Sequence, residues 1–185
     1  MDTEVFQSQG DRGGGGVIMS PSKKKFSHPR LLSPTRDVVP PMPKDGDEVY
    51  GGVIRINVSA LMDWLKDNPQ PAVDMPIHIW GSHDNKEARY VEAADITRPI
   101  IVAEIAPDYR DFIPTIPEDD WIARGYVCID GHHRIEKARQ LGIEKLPAIV
   151  LRMEQHLPYI FAGYVRYVEY WNSKLEDRVQ DGQRS

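Results

Sequence analysis

The sequence predicts an α/β (α+β) domain, a small mixed sheet with helices packed on it. Three observations carry this reading. Residues 99–105 and 148–152 are short apolar runs of strand length. Tyr126-Val-Cys-Ile129 is a third such run, β-branched and aromatic, and it turns through Asp130-Gly131 into a helix. Leu157, Ile160, Phe161, Tyr164, Val168, Trp171 and Leu175 keep the i, i+3, i+4 spacing of a long amphipathic helix.

The chain has 185 residues, enough for one proper core, and 41% hydrophobic with 28% charged residues is ordinary for a globular protein. A single cysteine excludes an internal disulfide and fits a reducing, cytoplasmic setting. No apolar run reaches the ~18–20 residues a membrane helix needs, so no membrane partner is expected. Residues 1–48 are expected to be a disordered tail, with Gly13 to Gly16, Lys23-Lys24-Lys25 and scattered prolines. The tail holds seven basic and seven acidic side chains, so the net charge of −5 belongs to the remainder. An acidic remainder argues against a dedicated duplex binder, which needs a basic face for phosphate.

A single domain is expected over 49–178, with 179–185 frayed. Residues 53–58 read as a strand. Ser59 is the expected cap of a helix over 60–66 that buries Leu61, Trp64 and Leu65. Asn68-Pro69-Gln70-Pro71 ends it. Residues 76–80 read as an edge strand, given Pro76, with His78 a strand side chain. Gly81 to Asn85 form a turn, where His83 beside Asp84 is a weak metal pair. Residues 88–94 lean to strand through Tyr90-Val91. After the strand over 99–105 comes a loop, 106–122, long enough to serve as a lid or as surface decoration. Residues 142–147 turn into the strand over 148–152. Pro158 suits the first turn of the last helix. Tyr159, Arg166, Tyr167 and Tyr170 lie off its apolar face.

The stretch from Tyr126 to Gly142 organises the rest. Asp130 is the expected N-cap, Gly131 permits the tight turn, Ile135, Ala138 and Leu141 form the apolar face, and Gly142 is the expected stop. His132, His133 and Arg134 fall on the first turn, where amide N–H groups and the helix dipole favour an anion. Two imidazoles and a guanidinium around such an end are one reading of these residues, a phosphate site. The competing reading has Arg134 paired locally with Asp130 while the histidines pack or face water. Cys128, just before the turn, is a core residue by strand alternation.

The order Pro99-Ile-Ile-Val, Tyr126-Val-Cys-Ile-Asp-Gly-His-His-Arg-Ile-Glu-Lys-Ala, Leu141-Gly, Leu146-Pro-Ala-Ile-Val-Leu151 resembles the ParB/sulfiredoxin superfamily over roughly residues 90–160. The resemblance implies a ParB/sulfiredoxin-like fold that binds ATP or another NTP with Mg²⁺, its phosphates on Gly131, His132, His133 and Arg134. The loop is most similar to those of free-serine kinases. Osa-type plasmid fertility-inhibition proteins join ATPase and nuclease (DNase) activity on the same fold. The sulfiredoxin loop cysteine falls at His132, which argues against sulfiredoxin chemistry. A partition protein would continue into a helix-turn-helix, and too few residues follow Leu151 for one to be expected.

The expected function is therefore ATP hydrolysis or phosphoryl transfer, with nuclease activity and DNA as an open further substrate. Arg134 and a protonated His132 or His133 would neutralise phosphate charge. Asp130 would cap the helix or hold Mg²⁺. The carboxylate that serves as base is expected among Glu92, Asp95, Glu104 and Glu118 to Asp120, with Glu92 ranked first. The alternatives are a non-catalytic, nucleotide-switched interaction protein and a partition-like DNA-binding regulator. A protein partner would meet the basic tail or the aromatic C-terminal helix.

Overall fold

The structure is a computed structural model, and it describes residues 31–36, 54–81, 87–108 and 115–182. It is a mixed α+β domain with a four-stranded and a two-stranded sheet. The elements are β1 (Arg55–Ile56), α1 (Val58–Asp67), β2 (Ala72–Pro76), α2 (Ala88–Ala93), β3 (Ile100–Glu104), β4 (Tyr126–Asp130), α3 (His132–Gln140), β5 (Lys145–Leu151), α4 (Met153–His156), β6 (Ile160–Ala162) and α5 (Tyr164–Gly182).

The larger sheet runs in the order β2-β5-β3-β4. Its central pair, β5 and β3, is parallel, and each outer strand is antiparallel to its neighbour. The connection from β4 through α3 to β5 is therefore not a parallel crossover. β3 lies between β4 and β5, so those two strands run opposite ways, and the parallel connection is the longer one from β3 to β5.

All five residues of β3 are buried, because the sheet is covered on both faces. Alternation then sorts them. Ile101 and Ala103 join Ile129 and Leu151 against α1, α5 and the small sheet. Ile100 and Val102 join Tyr126, Cys128, Ala148 and the Ile135–Ala138 face of α3. Cys128 is buried, as its strand position required.

Several element boundaries differ from the sequence reading. The first strand shrinks to two residues, because Asn57 caps α1 by accepting from the Ala60 N–H at 2.9 Å, and the helix starts before Ser59. The second strand ends at Pro76 instead of starting there. An edge strand tolerates the missing N–H, and Ile77 and Trp80 reach the core through a turn closed by Trp80 N–H to the Ile77 carbonyl. His78 is exposed on that turn. Residues 88–93 are helix, not strand. Lys137 donates to the carbonyls of Glu92 and Ala94 at 2.7 Å each, which secures the end of a helix that Tyr90-Val91 does not favour by propensity.

The single long C-terminal helix is also corrected. It divides into α4, a 3-10 turn over Leu157–Tyr159, β6 and α5, with Gly163 in the left-handed region at φ 75° before α5 begins. β6 pairs with β1, so Ile160 is buried from a strand. Within α5, Tyr167 is buried beside Val168, Trp171 and Leu175, against the expectation that placed it off the apolar face. The backbone stays helical to Gly182, past the expected end of the domain.

Of the expected tail, residues 31–36 lie against α5 and β6, and the rest falls outside the described residues, as does His83. Among the described residues no helix is long and apolar enough to cross a membrane.

Candidate functional site

β4 delivers Asp130 at its end, and the chain turns through Gly131 at φ 107° into α3. Gly131, not Asp130, is the N-cap residue, and no side chain caps the helix. Asp130 faces the other way in function: its carboxylate pairs with Arg134 Nη2 at 2.7 Å, one helical turn on. The capping role assigned from the sequence is thus replaced by an ion pair. A Cβ on residue 131 would lie 2.6 Å from Ile100 Cγ2 and 2.9 Å from Arg134 Nη2. Only glycine fits, and the Arg134 guanidinium lies directly over it.

Arg134 is drawn inward, its side chain 13% exposed against 38% for Asp130. Its Nε is buried and has no hydrogen-bond partner. A guanidinium offers five N–H donors, so one carboxylate does not exhaust it. His133 packs on Tyr90 of α2, ring centroids 5.6 Å apart, and His132 is half-buried at the first helical position. The far end of α3 behaves as expected. Gly142, at φ 69°, donates to the Arg139 carbonyl, and Ile143 donates to that of Ala138, which is a Schellman closure. Leu141 falls outside the helix and is exposed, so it leaves the apolar face assigned to it.

The predicted carboxylates scatter. Glu92 is exposed, and it brings its carbonyl to α3 through Lys137. It sits two residues after Tyr90, so it does not share the helix face that meets His133. Asp95 is exposed and turns on Thr97, whose hydroxyl and N–H hold its carboxyl below the usual range. Glu104 pairs in register with Tyr126, whereas Asp130 pairs with Ile101. Three residues of strand, about 10 Å, therefore separate Glu104 from the α3 start. Asp130 is the carboxylate that the structure brings to Arg134. Among the described residues no three His, Cys, Asp or Glu side chains cluster as a metal site. A single carboxylate fits Mg²⁺ only in its usual mode, where phosphate oxygens and water complete the shell.

A buried polar cluster not foreseen from the sequence lies at the opposite end of the sheet and includes Glu104, one of the candidate carboxylates. Arg124 and Asp108, both buried, pair at 2.6 Å, and Arg124 Nη1 donates to the Glu118 carbonyl at 3.0 Å. Glu104, 2% exposed, forms an ion pair with Arg152 Nε at 3.1 Å and accepts from the Met153 N–H at 3.0 Å. Arg152 also donates to the Tyr126 hydroxyl at 2.6 Å. His156 Nε2 donates to the Glu104 carbonyl at 2.6 Å, while its Nδ1 is buried without a partner. A glutamate inside an otherwise apolar run, 99–105, was the available signal.

Burial pushes the Glu104 carboxyl up to about 7, against the pull of Arg152 and the Met153 N–H. Burial also pushes the His156 imidazole down to about 4. These act oppositely on stability. From 4.5 to about 7 the unfolded chain releases the Glu104 proton that the fold retains, so stability falls as pH rises. From 6.5 down to about 4 the unfolded chain takes a proton that buried His156 refuses, so stability falls as pH drops. Each amounts to about 3 kcal/mol at about 1.4 kcal/mol per pH unit. The two offset each other in the native chain. Glu104→Gln leaves the histidine effect alone. Its urea midpoint is expected to drop steeply between pH 6.5 and 4 while the parent stays nearly level; parallel profiles would contradict this.

A cleft of about 960 Å³ lies between β2, the 118–124 segment and the α3–β5 turn. Asp74, Glu118, Asp119 and Glu144 line it together with Arg124, Arg139 and Lys145, so it presents mixed charge, and none of Gly131 to Arg134 reaches it. No protein-family model, curated protein or solved structure matches this chain.

Proposed function

We propose that this chain is a nucleotide-binding enzyme of the ParB/sulfiredoxin type, which hydrolyses or transfers a phosphoryl group held at the start of α3. The observation that carries the reading is the cradle at Gly131. A residue without a side chain, in a left-handed turn, opens a nine-residue helix directly beneath an arginine with a buried, unpartnered Nε. A helix start and a guanidinium are both anion ligands. The residues fit a phosphoryl group, and Asp130 fits a Mg²⁺ that phosphate helps to hold.

A bound nucleotide would supply the transferable phosphoryl group and Mg²⁺ would offset its charge. The chain's own contribution is positioning. First-turn amides and Arg134 hold phosphate oxygens, and His132 and His133 add donors in their protonated forms. Arg134 enters that role by exchanging Asp130 for a more highly charged partner. Asp130, thereby released, is the carboxylate at hand to accept a proton or to bind the metal.

Thermal-shift screening of ATP, ADP, CTP and GTP, with and without Mg²⁺, tests this. A ligand at 100 times its Kd stabilises by about 2.7 kcal/mol. For a domain of this size that raises Tm by roughly 5–10 °C. Arg134→Ala is expected to lose the shift, because hydrogen bonds to charged groups contribute about 1.5–3 kcal/mol. No shift with any nucleotide, or an equal shift in the variant, would remove the reading.

A non-catalytic, nucleotide-switched protein is the second reading, and the Asp130–Arg134 pair favours it, since the pair already neutralises the guanidinium. Nucleotide binding without turnover would decide for it.

A further inference from the structure

Two features of the sequence, the N-terminal segment and the aromatic C-terminal helix, meet in the structure. Asn172 of α5 grips the backbone of Leu32 from both sides. Its Oδ1 accepts the Leu32 N–H at 2.8 Å and its Nδ2 donates to the Leu32 carbonyl at 2.9 Å. The partly buried Leu32 side chain packs against the core cluster that contains Ile160, Tyr167 and Trp171. Tyr164 donates its hydroxyl to the Ser33 carbonyl at 3.0 Å. Arg36 lies 4.3 Å over the Tyr164 ring and donates to the Ile160 carbonyl.

These are the parts of a peptide-recognition site. A carboxamide that satisfies both backbone groups of one residue reads an extended chain, whatever its sequence. A leucine docked against the core and a guanidinium stacked on tyrosine add selectivity four residues apart. A solvated surface loop needs none of these contacts.

We propose that the α5–β6 face is a docking groove for an extended segment with leucine at one position and arginine four residues on, and that residues 32–36 of this chain are its resident ligand. Residues 37–53 tether that ligand to the fold. A short tether supplies an effective concentration on the order of millimolar, so the resident segment holds the groove against a free competitor of equal contacts. The same segment of a second copy offers identical contacts and enters when the resident one is weakened. This proposal is independent of the nucleotide reading.

The test uses the full chain and a fluorescein-labelled peptide of residues 29–38, followed by fluorescence anisotropy. Leu32→Ala with Arg36→Ala empties the groove, and Arg36→Ala alone serves if the double variant folds poorly. Saturable binding is expected, at least tenfold tighter than to the parent chain, and at least tenfold weaker once Asn172→Ala is added. No saturable binding to the emptied groove, equal binding to the parent, or indifference to Asn172→Ala would each overturn the proposal.

Discussion

Arg124→Met is expected to lower stability by about 3–5 kcal/mol, the cost of breaking a buried ion pair from one side. Both partners are 5% exposed at the side chain, and Asp108 accepts from Arg124 Nε as well as Nη2. The guanidinium also lies 4.2 Å over Trp121, so methionine fills much of the space and the loss is mainly electrostatic. Tyr126, whose hydroxyl is 3.5 Å from Asp108, is too weak a donor to replace it. Adding Asp108→Leu is expected to restore most of the loss, because an apolar pair of similar size replaces a buried ion pair at little cost. Urea unfolding of the two single variants and the double variant measures the coupling. A mild single variant, or a double variant as unstable as the sum of the singles, would show that the pair does not carry this stability.

Gly131→Ala is expected to cost about 2–5 kcal/mol. The left-handed backbone contributes about 1–2 kcal/mol of strain for any residue with a Cβ. Overpacking adds about 1–3 kcal/mol. The Arg134 end can swing away, but Ile100 is fully buried on β3 and cannot. Two controls separate the causes. Gly142 has φ 69° with nothing within 4 Å of an added Cβ, so Gly142→Ala is expected to show the backbone strain alone. In an Ile100→Ala background, Gly131→Ala is expected to cost less than in the parent, a coupling that the direct contact requires. Equal costs at the two glycines would mean that the cradle is looser than the structure has it.

The central strands were legible because burial on both faces removes ambiguity: residues 100–104 are apolar but for Glu104, and 126–130 runs into its turn with Asp-Gly. Elsewhere tertiary structure overruled local pattern. Ile160 keeps helical spacing with Tyr164 and Trp171, yet it points inward from β6, and the sign of the break was Gly163. A glycine inside a helix costs about 1 kcal/mol, which no other feature of that helix offset. Tyr90-Val91 favours strand, and only Lys137, far along the chain, shows why helix wins. At the site, the glycine turn and its first-turn arginine were readable from Asp-Gly-His-His-Arg. The partner of Arg134 was left between two readings, and the structure chose Asp130. The Asp108–Arg124 pair and the Asn172 clamp on Leu32 join residues whose proximity depends on the whole topology, so no spacing in the sequence could announce them.

The proposed phosphoryl site at the α3 start has a direct test. Titrating ATP and Mg²⁺ into ¹⁵N-labelled protein and following amide resonances tests it most directly. The amides of Gly131, His132, His133 and Arg134 are expected to shift first and furthest, and Arg134→Ala is expected to abolish those shifts. Shifts confined to the cleft at Trp121, Arg139 and Lys145, with residues 131–134 unmoved, would contradict it.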